Sequence, residues 1–151
     1  MKNIGVALRL TQTKEPKLVL DIHYGKDLLL GKVAFSTALK FDKKEISDIE
    51  KILFFFDGDM GKTYVMADVL VVESRKTPFI PEGWEEWIPH EYFEEKNSWF
   101  LIKNMRVVKE DELEEYVYSK DSSVRILDIL QQSRFPRVYF KRKIKDIPSL
   151  F

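Results

Sequence analysis

Residues 51–76 read KILFFFDGDMGKTYVMADVLVVESRK, two apolar runs that are separated by a glycine-containing turn. Asp57-Gly58 is a strong hairpin signal, and Asp59-Met60-Gly61 makes the loop longer than two residues. The run from 63 to 73 alternates with apolar side chains on both faces, which is typical of a strand in the middle of a sheet or barrel. We therefore predict two paired strands, 51–56 and 63–73, at the centre of the fold.

Apolar patterns on both sides of this hairpin predict further strands and three short helices. Alternation marks strands at 3–11, 17–24, 28–39 and 99–107, and 137–144 reads as a last strand or a basic tail. Asp42 and Glu45 have the spacing of a capping box, which predicts a helix over 43–49. The other two predicted helices are an acidic one over 110–118 and one from Ser122-Ser123 through 132.

The order of these elements predicts one α+β domain over residues 1–151. A chain of 151 residues has ordinary single-domain length. Strands dominate and are not separated by regular helical crossovers, which argues against a doubly wound parallel sheet. We expect a mixed β pseudo-barrel, or strongly curved sheet, that is capped by short helices. The strands at 3–11 and 17–24 are expected to form an extra N-terminal hairpin.

The amino-acid composition argues against several classes of function. The formal net charge is zero, with 25 Lys and Arg against 25 Asp and Glu, so there is no bulk attraction to nucleic acid. The absence of cysteine excludes disulfides and thiol catalysis. No apolar run approaches the roughly 20 residues of a membrane helix, and the N-terminus has no signal-peptide pattern. We expect a cytoplasmic protein that does not enter a membrane.

Aromatic side chains are concentrated between the central hairpin and the next strand. The segment 77–96 contains three prolines together with Trp84 and Trp87, and Trp99 follows at the start of the next strand. A loop of this length in a compact domain is usually functional. Its rings can form a slot for a planar ligand, or they can seal one end of the sheet by packing. Both interpretations remain open at this point.

Catalytic and metal-binding patterns are weak. Gly61-Lys62-Thr63 lacks the glycine that a P-loop requires five positions earlier, where Phe56 stands. The turn at Asp57 lacks the third acidic ligand and the sixth-position glycine of a calcium loop. His23 and His90 have no cysteine partners for zinc, and we interpret His23 as structural and His90 as a surface residue of the aromatic loop. We predict no catalytic residues, no metal and no cofactor.

Two further groups of residues are candidates for ligand contact. Ser36 and Thr37 follow Phe35 on a predicted strand, where their hydroxyls would hydrogen-bond the edge of a ligand at the mouth of the slot. Residues 134–143 read RFPRVYFKRK and form the basic, aromatic-interleaved segment of the chain. This segment would meet phosphates on one face of the protein, or it would place Lys and Arg on the solvent face of a terminal strand.

The layout of the chain resembles the PUA-like superfamily, in particular its EVE and ASCH branches, which are similar to the YTH readers. The resemblance spans roughly residues 28–140 and rests on YVMADVLVVES, the proline-containing loop, SWFLIKNMRVV, the acidic segment and ILDILQQSRFPRVYF. It implies a pseudo-barrel that binds RNA or modified bases in DNA or RNA. In that arrangement an aromatic pocket holds one flipped base.

The resemblance assigns roles to residues of this chain. It implies that Phe35, Ser36 and Thr37 lie on the strand beside the pocket, that Trp84 and Trp87 are the aromatic residues of the loop, and that Trp99 lies near the pocket floor. Contacts to the nucleic-acid backbone would come from the basic residues near the C-terminal end, namely Arg134, Arg137, Lys141 and Arg142. Some ASCH-type proteins are enzymes with a Lys, Thr and Glu group, so a small hydrolase or nuclease that uses Lys32, Thr37 and Glu73 is one alternative. A protein-interaction module that uses the aromatic loop is another.

Overall fold

The computed structural model describes residues 3–10, 14–58, 61–132 and 134–143, and these form an α+β protein with one eight-stranded mixed sheet. The strands in chain order are β1 Gly5–Arg9, β2 Val33–Thr37, β3 Lys51–Gly58, β4 Gly61–Phe79, β5 Lys96–Val108, β6 Tyr116–Tyr118, β7 Asp121–Arg125 and β8 Arg137–Arg142. The α-helices are α1 Pro16–Leu30, α2 Lys43–Ile46 and α3 Ile126–Gln132, and short 3-10 helices occupy Glu85–Trp87, His90–Tyr92 and Glu110–Leu113.

The predicted central hairpin is confirmed. The strand order across the sheet is β2-β5-β4-β3-β1-β8-β6-β7, and β3 pairs antiparallel with β4 from Lys51↔Asp68 to Gly58↔Gly61. The first half of β4 buries both of its faces, because Val65 and Ala67 enter one core cluster whereas Tyr64 and Met66 enter another. The tip of the predicted loop, Asp59-Met60, lies outside the described residues.

The predicted N-terminal hairpin is wrong, because residues 17–24 belong to helix α1. Strand β1 instead pairs in parallel with β3 and antiparallel with β8. Helix α1 begins with a proline in its first turn and ends at Gly31, whose φ of 80° is left-handed. The predicted third strand, 28–39, is accordingly shortened to Val33–Thr37.

The structure also corrects the predicted helices. The acidic helix over 110–118 is limited to the 3-10 helix Glu110–Leu113, and strand β6 follows because Tyr-Val-Tyr favours extended backbone. The first half of the predicted helix from Ser122 is strand β7, so α3 begins at Ile126. The Asp42 cap is confirmed, since its Oδ1 accepts from the backbone N of Lys44 at 2.8 Å, although α2 ends at Ile46.

The sheet curls strongly but stays open. Strand β2 lies three places from β3 in the strand order, yet the ring centroids of Phe35 and Phe54 are 4.7 Å apart. Both rings belong to one core cluster that also contains Val6 of β1. Within the described residues, no ladder joins the two edge strands, β2 and β7. The α+β class is therefore confirmed, but the expected pseudo-barrel is not, because the described sheet is curved and open. Helix α1 packs on β2 and β5.

Candidate functional site

A cavity of about 260 Å³ opens where the end of β2 approaches the end of β1. Strand β2 lines it with Phe35, Ser36 and Thr37, the strand residues that the sequence analysis singled out. The rest of the lining comes from β1, helix α1, the segment before β5, the first residue of β5 and the residue before β8. It includes Arg9, His23, Tyr92, Glu94, Lys96 and Pro136. This volume is near the lower end for small-molecule sites, about 300 Å³, and it suits a single planar ring system.

Three rings form the aromatic wall of the cavity. His23 and Tyr92 are stacked, with centroids 5.1 Å apart and an interplanar angle of 25°. Phe35 lies 5.3 Å from His23 and is tilted by 57°. Offset stacked and tilted contacts are favourable for aromatic pairs, so these rings hold one another in place. The cavity therefore presents fixed ring surfaces contributed by three different parts of the chain.

His23 is the buried polar group of this wall, with only 2% of its surface exposed. Its Nδ1 lies 2.7 Å from the carbonyl oxygen of Val19. Because a carbonyl oxygen only accepts, Nδ1 carries the proton, and Nε2 is the acceptor of the neutral ring. Burial lowers the pKa of His23, while the bond to Val19 and the charge of Glu91 act in the opposite direction. The ring is therefore neutral at neutral pH.

The rim of the cavity carries the Thr37 hydroxyl and charges of both signs. Ser36 pairs with Trp99 in the ladder of β2 and β5, so its side chain lies on the Trp99 face and the expected second hydroxyl is not beside Thr37. The Oγ1 of Thr37 accepts a hydrogen bond from the backbone N of Leu39 at 3.2 Å, which leaves its hydroxyl proton to donate. Lys96 Nζ lies 3.1 Å from Glu94 Oε1, so these two charges largely compensate each other. The rim thus offers hydrogen-bonding groups without a strong net charge.

Arg9 is tied to the interior of the protein. Its guanidinium carbon lies 4.7 Å from the ring centroid of Phe55, and Nη2 donates to the carbonyl of Leu130 at 3.2 Å. Asp57 lies 3.9 Å from Nη1. These contacts hold the side chain on the face of β1 that carries Phe55, opposite to the face of Phe35, so the Arg9 charge is engaged away from the cavity that this residue borders.

Trp99, which the sequence analysis placed near the pocket floor, is a core residue. It is 0% exposed, and its Nε1 donates to the carbonyl of Phe79 at 2.7 Å. Both the ring and the N–H group are therefore used inside the protein, which leaves no surface for a ligand. The cluster around Trp99 includes Ala34, whereas Phe35 belongs to the cluster on the opposite face of β2.

Trp84 and Trp87 are half-buried against this Trp99 cluster. The Nζ of Lys32 lies 4.2 Å from the ring centroid of Trp87, a cation–π contact. The two tryptophans therefore pack on the face of the sheet opposite to Phe35, whereas Tyr92 of the same loop lies on the Phe35 side. The expected slot between the two tryptophans and residues 35–37 is not formed, and the interpretation of the loop as a packed lid fits these residues.

The four predicted backbone contacts divide between the two ends of β8. Arg137 pairs with Leu8 at the cavity end of β1, and its guanidinium stacks 4.7 Å from the ring centroid of Phe41 while donating to the carbonyl of Lys40. Arg134 is exposed just before this strand. The other two residues lie at the far end of β8, about 16 Å away along the strand: Lys141 and Arg142.

The alternative catalytic group of Lys32, Thr37 and Glu73 does not converge. Glu73 pairs with Trp99 in the ladder of β4 and β5, and directly opposite residues of an antiparallel pair point to the same face. Lys32 lies over Trp87 and so belongs to that face as well. Thr37 lines the cavity on the other face. The sheet separates these side chains, and the geometry gives no support to a hydrolase that uses them.

Sequence reasoning missed two residues of the aromatic wall, His23 and Tyr92. His23 was interpreted as structural at the end of a strand, whereas α1 carries it into the cavity. Proline in the first turn and Gly31 at the end are the signals that predict this helix. Tyr92 lies in the aromatic loop, but only tertiary packing separates it from the tryptophans. His90 is exposed, as expected for a surface residue.

Comparison with known proteins gives no match to this chain among family models, curated proteins or solved structures. Of the helices in the described part of the chain, none is long and apolar enough to cross a membrane. The described residues also contain no group of three or more His, Asp or Glu side chains arranged to hold a metal ion.

Proposed function

We propose that this protein is a non-enzymatic binding module that holds a single nucleobase of RNA or modified DNA in the cavity between α1, β2 and Tyr92. The observation that carries the proposal is a cavity of about 260 Å³ with three aromatic rings in its wall. Stacking of a base on an aromatic side chain contributes about 1–3 kcal/mol. The hydroxyl of Thr37, on the same face of β2 as Phe35, is placed to hydrogen-bond the edge of the base, which would select among bases.

A PUA-like architecture is the fold part of this proposal. The curl of the sheet supports it, because Phe35 and Phe54 meet across the core from strands that are not neighbours. The cavity lies at the remaining gap, between the ends of β1 and β2. A pseudo-barrel with a base-sized opening is the arrangement that the resemblance to EVE and ASCH domains implies.

Arg134 and Arg137 are the proposed contacts to phosphates beside the bound base. Arg137 begins the strand that follows Pro136 in the cavity wall, and Arg134 is exposed next to it. Each phosphate contact on a single strand contributes about −0.7 to the slope of log affinity against log salt. Two contacts therefore predict a slope of about −1.4, which is shallow and agrees with a chain of zero formal charge.

Tyr92→Ala is the variant that tests this function. We expect it to weaken binding of short single-stranded oligonucleotides by about 5- to 150-fold, the equivalent of about 1–3 kcal/mol of stacking. Fluorescence anisotropy with a panel of RNA and modified-DNA oligonucleotides measures the affinity. Trp84→Ala is the matched control, because Trp84 packs on the opposite face of the sheet and should leave binding unchanged.

Two results would contradict the proposal. One is the absence of binding to any oligonucleotide in the panel by the wild-type protein. The other is loss of binding in Trp84→Ala with full binding in Tyr92→Ala, provided that both variants unfold at wild-type temperatures. Purification with a bound polypeptide and no nucleic acid, identified by mass spectrometry, would favour the protein-interaction alternative.

A further inference from the structure

We infer that His23 is a specificity-determining residue of the cavity, whose Nε2 accepts a hydrogen bond from an N–H group of the bound base. The inference rests on the proposed function, because it concerns the same cavity. It adds the chemical class of the ligand: a planar heterocycle that presents an N–H donor at its edge. Heterocycles in which that nitrogen is fully alkylated are excluded.

The orientation of the His23 ring is fixed from two directions. Nδ1 donates to the carbonyl of Val19, one turn earlier in α1, and this carbonyl oxygen has a second lone pair for the helix. Tyr92 stacks on the ring, and Phe35 contacts it at a tilt. Rotation of the imidazole would break the bond to Val19 and disturb both contacts. The acceptor nitrogen therefore has one position relative to the cavity.

The Nε2 atom has no hydrogen-bond donor from the protein, as far as the described residues show. Nε2 is not among the fully buried atoms without a partner, so it keeps access to the water of the cavity. A ligand that displaces this water must supply a donor in its place, because an acceptor left without a partner in the complex is unfavourable. His23 lines the cavity and is 2% exposed, so a ligand in the cavity is the group that can supply the missing donor. The ring thus has the features of a preorganised receptor for an N–H group.

Other polar groups of the cavity do not take this role. The carboxylate of Glu94 is compensated by Lys96 at the rim, 3.1 Å away, and it is exposed to water. Thr37 is a hydroxyl that already accepts from Leu39 and is free to donate. A base that has both donor and acceptor groups would therefore direct its N–H to His23 and its carbonyl or ring nitrogen to the hydroxyl of Thr37.

Paired nucleosides that differ by the N–H group test this inference on the full chain. Uridine is compared with 3-methyluridine, and cytidine with N4,N4-dimethylcytidine, by isothermal titration calorimetry near pH 7.5. The wild-type protein is expected to bind at least one N–H member about tenfold or more tighter than its methylated partner, because a site built around a hydrogen bond rejects a ligand that cannot make it.

Two variants distinguish the contribution of the His23 acceptor nitrogen from that of its aromatic ring. His23→Phe keeps an aromatic ring against Tyr92 but has no acceptor, so it should bind both members of that pair with affinities within about twofold of each other. His23→Gln places a carbonyl acceptor in the cavity and should restore part of the preference. Thermal unfolding of each variant shows whether it is folded, and the wild-type comparison is decisive without either variant.

The outcomes distinguish the inference from the function on which it rests. If the wild-type protein binds neither nucleosides nor oligonucleotides, the proposed function fails and the role of His23 fails with it. If it binds nucleosides without preferring the N–H members, or if folded His23→Phe keeps the full preference, the role of His23 is overturned while base binding stands.

Discussion

Most polar side chains that are buried in this protein have hydrogen-bond partners on the backbone. Asp27 and Asn97 are buried, and both find backbone partners: a carboxylate oxygen of Asp27 accepts from the N of Met105 at 3.0 Å, and the Asn97 amide donates to two carbonyls of β4. His23 is the buried side chain that also borders the cavity. Its ionisation state is therefore linked both to stability and to the site.

Stability is expected to fall as the pH drops below about 7.5, because the folded protein keeps His23 neutral. Burial lowers its pKa below the ordinary value of 6.5, so the unfolded chain takes up a proton that the folded chain does not. The His23 contribution to the unfolding free energy is then highest above about pH 7.5 and falls as the pH drops through 6.5 toward the lowered pKa, by at most about 1.4 kcal/mol per pH unit. Urea unfolding at each pH measures this slope.

The two histidines provide a matched comparison for this slope. His23→Phe removes the titrating group and should give a flatter profile over the same range. His90→Gln changes an exposed histidine and should keep the wild-type slope. Identical slopes for the three proteins would show that His23 is not the group responsible.

Among the elements, β3, β4 and β5 could be predicted from their apolar pattern, whereas for α1 only the two ends carry a signal and the apolar pattern misleads. The three strands carry apolar side chains on both faces of their central portions, which is a strong local signal. Helix α1 buries His23 and Asp27 beside Leu20, while Leu28 and Leu29 are 67% and 81% exposed. The positions of its apolar residues therefore do not indicate which face of the helix is buried. The alternating apolar residues at 18, 20 and 22 led to the wrong prediction of a strand.

Local sequence patterns also explain which residues of the cavity could be predicted and which could not. Residues 35–37 were singled out because they lie together on one strand, and they line the cavity. Trp84 and Trp87 share a loop with Tyr92, and no local pattern indicates which of these rings faces which side of the sheet. Trp99 also finds its hydrogen-bond partner, the carbonyl of Phe79, twenty residues earlier in the chain. Such contacts depend on tertiary packing and not on local periodicity.

Two glycines of α1 should respond to alanine in opposite directions. Gly25 lies inside the helix, and an added Cβ would meet nothing within 4 Å. Gly25→Ala should therefore stabilise the protein by about 0.5–1 kcal/mol through helix propensity. Gly31 has equal space, but its φ of 80° is left-handed, so Gly31→Ala should destabilise by about 1 kcal/mol. Urea unfolding compares them, and changes of the same sign would contradict this helix boundary.

Over the whole molecule, the curvature of the sheet brings distant strands together. The sequence predicted the α+β class and most of the strands, but curvature depends on contacts between strands that are not neighbours. The ring pair of Phe35 and Phe54 is such a contact, with centroids 4.7 Å apart and an interplanar angle of 62°. An edge-to-face pair of this kind adds about 0.5–1.5 kcal/mol beyond its buried area.

A double-mutant cycle tests in solution whether β2 and β3 make this contact. Phe35→Leu and Phe54→Leu are expected to show a coupling free energy of about 0.5–1.5 kcal/mol in urea unfolding, because each removes one ring of the same pair. Phe35→Leu combined with Phe140→Leu is the control, since Phe140 lies in the other core cluster, and these two effects should add. Additive effects in the first pair would mean that the two strands do not meet.

The position of β1 between β3 and β8 has a consequence for synthesis on the ribosome. Residues 5–9 have two pairing partners, and one of them, residues 137–142, is translated more than a hundred residues later. Until then the nascent chain exposes an unpaired backbone edge, which can pair with other chains. Folding of the described sheet can therefore be completed only after strand β8 has been translated.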